Sequence, residues 1–214
     1  MPPHPTPIYR LLHIDNLPIV LQRGGLHAPN FTPYDGLAYR PIHNTDVQAA
    51  RRTTRIPCGP QGTVHDYVPF YFGYLSVMLL NLKTGRVAGY DEGQEPLIYL
   101  KTTAQTVEQS GTCYVFSDGH GLATFTGWYD ALCHLDEVDW NIVYERYWRD
   151  TDEDNDRKRR KQAEFLVHQF CPWELIQEIG VLNDRMRDMV QTSLDNALGA
   201  HRPVVTVRPE WYYY

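Results

Sequence analysis

The chain has 214 residues, a formal net charge of −6, 43% hydrophobic residues and 21% charged residues. This composition is typical of one globular domain with a full core, and it excludes a protein that binds nucleic acid through a strongly basic overall charge. The four cysteines show no zinc-site spacing, no apolar run approaches the roughly 20 residues that span a bilayer, and no apolar signal segment opens the chain. We therefore expect a single domain over residues 1–214 that is cytoplasmic, contacts no membrane, binds no metal and keeps its thiols free.

The first predicted elements lead from a strand into a long loop. Ile8–His13 predicts a strand, and Asp15 predicts the N-cap of a helix that ends at Gly24 and Gly25. Leu26–His43 has no periodicity and contains three prolines, which is typical of a functional or mobile loop.

The rest of the chain alternates short strands and helices, which predicts the α+β class. The apolar segment Ser76–Leu82 fits either a strand or a helix. The remaining predicted helices are Asn44–Thr54, Thr102–Gln109, Asp136–Tyr147 and Asn183–Leu198. The remaining predicted strands are His65–Phe72, Leu97–Lys101, Thr112–Phe116, Gln162–Gln169 and Val204–Val207.

Charge is segregated along the chain. Acidic residues cluster in Asp136–Asp139 and Asp150–Asp156, and basic residues cluster in Arg51–Arg55 and Arg157–Lys161. Local fields can therefore oppose the net sign. The second basic cluster ends a predicted polar loop, Trp148–Arg160.

The strand after this loop carries a carboxylate at its start. Ala163, Phe165 and Val167 share one face of the predicted strand, and Glu164 lies on the other face. A carboxylate beside a cationic loop suits chemistry on a polyanion, because the loop can hold phosphates while the carboxylate stabilises positive charge. The alternative is a solvated basic turn with a chance glutamate.

Common nucleotide-binding and catalytic motifs are absent from the sequence. It contains no GxGxxG, GxxxxGK[ST], GxSxG or HExxH pattern, so it supports neither a Rossmann site nor a P-loop, a serine hydrolase or a zinc protease. What remains is a scattered set: His13 at a strand end, Arg51 on a helix, His120 in a glycine-flanked loop, and Glu164.

Five segments in this order resemble the DarT family of DNA ADP-ribosyltransferases. They are His13–Pro18, Arg51–Arg52 with Ile56–Pro60, His65–Phe72, Ser117–His120 and Asp156–Val167, and the closing Arg208–Tyr213 fits as well. Together they span nearly the whole chain. The resemblance implies the ADP-ribosyltransferase fold, in which a split central β-sheet with surrounding helices forms a cleft that holds NAD⁺ without a Rossmann motif.

The resemblance assigns three catalytic residues. Glu164 would stabilise the positive charge that develops when the nicotinamide–ribose bond breaks. Arg51 would bind the NAD⁺ phosphates and assist the acceptor base, and His120 would take a proton from that base. The alternatives are a strand-end surface Glu164, a helix-surface Arg51, and a turn His120 fixed by Asp118.

Further residues are implied in binding. The resemblance implies cofactor contacts by Arg51 and by five other residues: His13, Ile14, Asp15, Asn16 and Gly24. It implies DNA contacts by six residues: Tyr71, Met78, His120, Arg157, Lys158 and Arg160. The rings of Tyr67 and Tyr71 could stack on the acceptor base, and the alternative is that one of them packs in the core. Leu75 and Ala28 are apolar where a DNA track would favour basic residues, so the acceptor sequence stays open.

The implied activity is that of a toxin that uses NAD⁺ to attach ADP-ribose to a base in single-stranded DNA. Thymine is the expected base, and the reaction releases nicotinamide and blocks replication. The expected partners are single-stranded DNA and a cognate antitoxin, a macrodomain-type ADP-ribosyl hydrolase, and the chain is expected to be a monomer. The open alternatives are another acceptor (guanine in DNA, RNA or protein), hydrolysis of NAD⁺ by water, and an inactive binding module.

Overall fold

A large sheet and a small strand pair form the β-structure of the chain. A computed structural model describes residues 1–197, 199 and 201–214. The strands are β1 (Pro7–His13), β2 (Gly25–His27), β3 (Tyr67–Tyr71), β4 (Leu97–Thr103), β5 (Tyr114–Ser117), β6 (Trp128–Tyr129), β7 (Glu164–His168), β8 (Phe170–Pro172), β9 (Glu178–Val181) and β10 (Val204–Val207).

The helices are short and lie between these strands. They are α1 (Leu17–Gln22), α2 (Thr45–Thr53), α3 (Val77–Lys83), α4 (Ala104–Gln109), α5 (Trp140–Tyr144), α6 (Arg157–Arg160) and α7 (Asp184–Asn196). Single 3₁₀ turns cover Ile14–Asn16, Pro29–Phe31, Val64–Asp66, Leu132–Glu137, Trp173–Leu175 and Pro209–Trp211. Within the described part of the chain, no helix has the length and apolar character that crossing a bilayer requires.

The large sheet is split near its middle. Its strand order is β10-β9-β4-β1-β3-β7-β5-β6. The first strand pairs with β4 over its whole length, from Pro7 to His13, but it meets β3 at the single pair Tyr9 and Tyr71. The two halves therefore diverge from one point and leave a cleft between them. The predicted α+β class with a split sheet is confirmed.

Strand β7 alternates as the sequence predicts, and both of its faces are buried. Phe165 and Val167 pack in the main core, whereas Leu166 packs in a smaller cluster beside Tyr67. Glu164 shares the Leu166 face at the point where that face reaches the cleft. A strand that is buried on both sides fixes the carboxylate in position.

The N-cap predicted at Asp15 is wrong. The ring of His13 accepts a hydrogen bond from the Asp15 N–H at 3.2 Å, so the chain turns as soon as β1 ends. Asn16 precedes α1 and makes no side-chain cap. The Asp15 carboxylate pairs with Arg40 instead, 2.7 Å away.

Several other element predictions need correction. Ser76 caps α3 by accepting from the Leu79 N–H at 3.1 Å, which makes the ambiguous apolar segment a helix. The helix predicted over Asp136–Tyr147 is confined to α5 because Asp139 caps Ile142 at 3.2 Å. The polar loop predicted up to Arg160 ends in the helix α6. The predicted end of the last helix, Leu198, lies outside the described residues.

Candidate active site

The cleft between the half-sheets opens into a cavity of about 470 Å³. Strands β1, β3 and β7, helices α2 and α3, and segments of the 26–44 loop line it. Six of the predicted site residues contribute to its walls: Asn16, Arg51, Tyr71, Met78, His120 and Glu164. The others lie outside this lining, although the structure describes them: His13, Ile14, Asp15, Gly24, Arg157, Lys158 and Arg160.

A buried ion pair dominates the cavity wall. The Arg51 guanidinium donates two parallel hydrogen bonds to the Glu164 carboxylate, at 2.9 Å and 2.8 Å. The two side chains are 9% and 2% exposed. Asn44 caps the helix that carries Arg51, and the Ser117 hydroxyl accepts from the Glu164 N–H at 3.2 Å. Both partners therefore project from rigid elements.

The Glu164 carboxylate stays ionised despite its burial. Burial alone would raise the pKa of Glu164, but the charge and hydrogen bonds of Arg51, with smaller contributions from His120 and the Gly121 N–H, hold the pKa below its ordinary value. The site thus presents a fixed negative charge inside an otherwise cationic cavity. Such a charge is suited to stabilising positive charge that develops on a ligand.

His120 is held at the cavity by a braced loop. Its backbone N–H donates to the Arg159 carbonyl at 2.9 Å, and its own carbonyl accepts from the Thr126 hydroxyl at 2.8 Å. Asp118 does not fix the His120 ring, because it pairs with Arg159 at 2.8 Å and accepts from the Gly127 N–H at 2.9 Å. Burial is the main cause that lowers the pKa of His120. The Glu164 charge raises this pKa, and the positive charges of Arg51 and Lys158 lower it. The ring is neutral near pH 7 and can accept a proton.

The residues after β1 hold the long loop in place. The Asn16 amide donates to the Arg40 carbonyl at 2.9 Å and accepts from the Arg40 N–H at 2.7 Å. The Arg40 side chain pairs with Asp15 and Glu92. The Nε2 atom of His13 is buried and makes no hydrogen bond among the described residues, and the Oε2 atom of Glu92 lies 3.7 Å from it.

Ile14 and Gly24 make backbone hydrogen bonds to neighbouring segments. The Ile14 N–H donates to the Pro96 carbonyl at 2.9 Å. Gly24 ends α1 with a φ of +69°, a conformation that favours glycine, and its carbonyl accepts from the Trp173 N–H at 2.9 Å. Gly24 as the end of the helix is confirmed, and its cofactor contact stays a prediction.

Tyr71 and Met78 line the same cavity as the ion pair. Tyr71 faces Glu164 across the β3–β7 register, and burial together with the Glu164 charge raises the pKa of Tyr71 to about 12. Met78 lies in the first turn of α3. Tyr67 is fully buried and donates its hydroxyl to the Gln61 carbonyl at 2.7 Å, so it is a core residue.

The basic cluster before β7 is cross-braced. Arg157 donates to the carbonyls of Arg149 and Tyr147, at 3.1 Å and 2.8 Å. Arg160 pairs with three carboxylates, those of Asp139, Asp154 and Asp156. Lys158 is exposed, and no described carboxylate pairs with its ammonium group.

Arg10 is a candidate functional residue that the sequence did not predict. Arg10 lies where β1 diverges from β3, and its Nη1 donates to the Pro69 carbonyl at 3.0 Å. Its Nε is buried without a partner, and no described carboxylate pairs with the guanidinium, which lines the cavity. Burial is the main cause of its lowered pKa. The signal in the sequence is a single charge within an apolar strand.

Comparison with known proteins places this geometry in context. Residues 9–213 match the family model described as ssDNA thymidine ADP-ribosyltransferase, DarT. A DNA ADP-ribosyl transferase from Thermus sp. (strain 2.9) is 40% identical over 211 residues, which cover 99% of this chain and 98% of the relative.

Solved structures agree with this match. Thermus sp. 2.9 DarT in complex with ADP-ribosylated ssDNA superposes with a TM-score of 0.93 at 39% identity, covering 100% of this chain and 99% of that one. The same Thermus protein in complex with NAD⁺ superposes with a TM-score of 0.88 at 38% identity and covers 100% of both chains.

Proposed function

Because this chain belongs to the DarT family of single-stranded-DNA thymidine ADP-ribosyltransferases, we propose that the cavity between its half-sheets is the site of ADP-ribose transfer. The chain is an NAD⁺-dependent DNA ADP-ribosyltransferase that modifies single-stranded DNA. The observation that carries the site assignment is the buried Arg51–Glu164 pair, which lies on the cavity wall with His120.

The cavity fits NAD⁺ in size and in chemistry. Its 470 Å³ lies within the range of small-molecule sites. The Nε atom of Arg10, a residue of the cavity wall, makes no hydrogen bond within the described part of the chain. NAD⁺ supplies a nicotinamide–ribose bond whose cleavage leaves positive charge on the ribose. Glu164 stabilises that charge, and its oxygens keep free lone pairs for a ribose hydroxyl while Arg51 holds the carboxylate.

The structure favours Arg10 over Arg51 as the partner of the diphosphate. The charged groups of Arg51 and Glu164 are committed to each other, whereas Arg10 has a buried Nε atom and no carboxylate partner among the described residues. A buried cation that lacks a partner is costly, and a diphosphate would remove that cost. Arg51 then keeps Glu164 ionised and lies beside the acceptor base.

The acceptor base occupies the part of the cavity that Tyr71 and Met78 line. Tyr71 and Met78 provide the surface against which a base can stack. The neutral imidazole of His120 takes a proton from the acceptor, and a thymine ring nitrogen requires this help because it is only weakly acidic. His13 meets the nicotinamide half, and the residues that follow it, through Asn16, position the loop around Arg40.

Lys158 is the member of the basic cluster with a charge available to DNA. It is exposed, and its charge reaches the neighbourhood of His120. The N–H donors of Arg157 and Arg160 bind carbonyls and carboxylates in and around the loop, so these two residues fix the conformation of the loop. Lys158 then contacts an acceptor phosphate and sets part of the salt dependence.

The biological setting follows from the family. We propose that the chain acts as a toxin in the cytoplasm, as a monomer, and that its antitoxin is a macrodomain-type ADP-ribosyl hydrolase. These assignments are supported by the resemblance of the sequence segments to the family.

The test is incubation of the chain with NAD⁺ and matched acceptors. We expect mass gain on a thymine-containing single strand and little on its duplex, because a paired base must first be extruded at a cost of a few kcal/mol. Guanine-only DNA, RNA and protein serve as alternative acceptors, and nicotinamide release without any adduct would indicate hydrolysis instead. Glu164→Gln should lose about 10²–10³ in rate, whereas Glu174→Gln, an exposed glutamate, should retain full activity.

A further inference from the structure

A second groove lies behind the loop that carries His120. It encloses about 330 Å³, which is at the lower end of the volumes that hold small molecules. Its walls are the end of α2 with Arg55 and Pro57, the segment Gly121–Thr124, and Trp128. The same loop therefore lines the main cavity with His120 and the second groove with the residues that follow.

Gly121 lines this groove and lies next to Glu164. A Cβ added to Gly121 would lie 3.2 Å from Cη2 of Trp128 and 3.7 Å from Oε1 of Glu164. The indole and the Glu164 carboxylate thus both approach the face of Gly121 that a side chain would occupy. The groove and the cavity therefore adjoin each other at Gly121.

The groove is rigid and carries an available cation. The His120 carbonyl accepts from the Ala123 N–H at 2.9 Å, which fixes the loop. The backbone around Arg55 is fixed by the hydrogen bond from the Ile56 N–H to the Gly62 carbonyl, at 3.1 Å. The Arg55 side chain is exposed, and no described carboxylate pairs with it.

We propose that this groove holds the nucleotide adjacent to the acceptor base, with its base against the Trp128 indole and its phosphate on Arg55. An aromatic face beside an unpaired guanidinium is the combination that binds single-stranded nucleic acid. Thr124 adds a hydroxyl group that can contact a base edge, whereas the hydroxyls of Thr54 and Thr126 donate to the carbonyls of Ala50 and His120. The groove would then select the sequence context of the acceptor. This inference rests on the proposed function.

The test uses the full chain, NAD⁺ and three single strands: one intact, one with an abasic nucleotide on the 5′ side of the acceptor, and one with it on the 3′ side. The unmodified chain should lose about 10-fold to 100-fold in kcat/KM with one of the two abasic strands, as expected for one base–aromatic stack. Trp128→Leu should lose a similar factor on the intact strand and nothing further on that abasic strand. Trp128→Phe should recover most of the activity.

Arg55→Gln gives a second test that does not depend on folding, because the side chain is exposed. It should raise KM for DNA several-fold and flatten the log–log salt slope by about 0.7. The matched control is Arg202→Gln, which removes the same charge from an exposed arginine paired with Asp195. NAD⁺ affinity and nicotinamide release without DNA should not change in any of these variants.

Two outcomes would overturn the inference. One is an equal loss by Trp128→Leu on all three strands, and the other is Arg55→Gln that behaves like Arg202→Gln. Failure of the unmodified chain to modify any single strand, with NAD⁺ binding intact, would overturn the proposed function itself.

Discussion

The stability contributed by the Arg51–Glu164 pair can be tested by mutation and pH, because a glutamate can gain a proton at accessible pH and an arginine stays charged. We consider three variants: Arg51→Gln, Glu164→Gln, and the double variant. Each single change leaves one buried charge without its partner, whereas the double change leaves two neutral amides that can hydrogen-bond. All three variants should lose transfer, so stability is the informative readout.

The magnitude follows from burial. With side chains 9% and 2% exposed, the pair is not screened as a surface pair is. Removing one partner of a buried pair costs about 3–5 kcal/mol, and the cavity's access to water favours the lower end. Each single variant should therefore unfold about 6–12 °C lower. The double variant should be more stable than the sum of the singles by about 2–3 kcal/mol.

The pH dependence separates the two single variants. In the unmodified chain the lowered pKa of Glu164 gives stability that is present above about pH 4.5 and is lost as the pH falls through the lowered value. In Arg51→Gln, burial without the guanidinium raises the pKa of Glu164 above its ordinary value. The folded state then binds more protons, so the deficit of this variant shrinks as the pH falls from 7 to 5. The deficit of Glu164→Gln instead grows as the pH falls, because loss of the Glu164 charge lowers the pKa of the His120 ring further and the folded state then binds fewer protons.

Urea unfolding at pH 7 and pH 5 measures these quantities. The control is the same cycle on Arg202 and Asp195, whose side chains are 53% and 56% exposed, and which should give a coupling below about 1 kcal/mol. Additive single losses below about 1 kcal/mol at the buried pair would refute the reasoning, because they would mean that cavity water solvates both charges.

Three further predictions concern substrate use. Arg10→Gln should weaken NAD⁺ binding by about 10-fold or more, measured by calorimetry, because one charge-assisted contact is worth about 1.5–3 kcal/mol; unchanged affinity would contradict the diphosphate assignment. The kcat/KM for DNA should be flat from pH 8 to pH 6.5 and should fall below pH 6.5, because burial lowers the pKa of His120. The variant His120→Asn should not show this fall at acid pH. A fall that begins above pH 7.5 would contradict the assignment of His120 as the base. Lys158→Gln should flatten the DNA salt slope by about 0.7 with no loss of thermal midpoint, whereas Arg160→Gln should lower the midpoint; the reverse pattern would contradict the division of roles.

The sequence predicted the parts of the site that depend on local pattern. The alternation of Ala163, Phe165 and Val167 placed Glu164 on the opposite face of β7, and the structure confirms that arrangement. The glycine-flanked segment predicted a tight loop after β5, and that loop presents His120 to the cavity. These features follow from the residue order within one element.

The parts that depend on pairing between distant segments could not be predicted. The sequence predicts Arg160 as a DNA-binding cation, but its partner Asp139 comes from another segment that only the fold brings close. In the sequence, Arg10 is a polar residue within a strand. Its position at the cavity depends on the divergence of β1 from β3, which the sequence does not show. The sequence predicts Asp15 as a helix cap. In the structure Asp15 does not cap α1, and its own N–H donates to the ring of His13.

The balance of charges gives a last prediction about DNA affinity. The chain is acidic overall, with a net charge of −6, so it should not bind DNA through a general field. With Arg10 assigned to NAD⁺, three cations at or near the site have no carboxylate partner among the described residues: Arg52 on the cavity wall, Arg55 in the second groove, and Lys158. Three phosphate contacts on a single strand give a log–log salt slope of about −2. A measured slope steeper than about −4 would show that further cations contact the strand and that the acceptor path extends beyond the cavity and the groove.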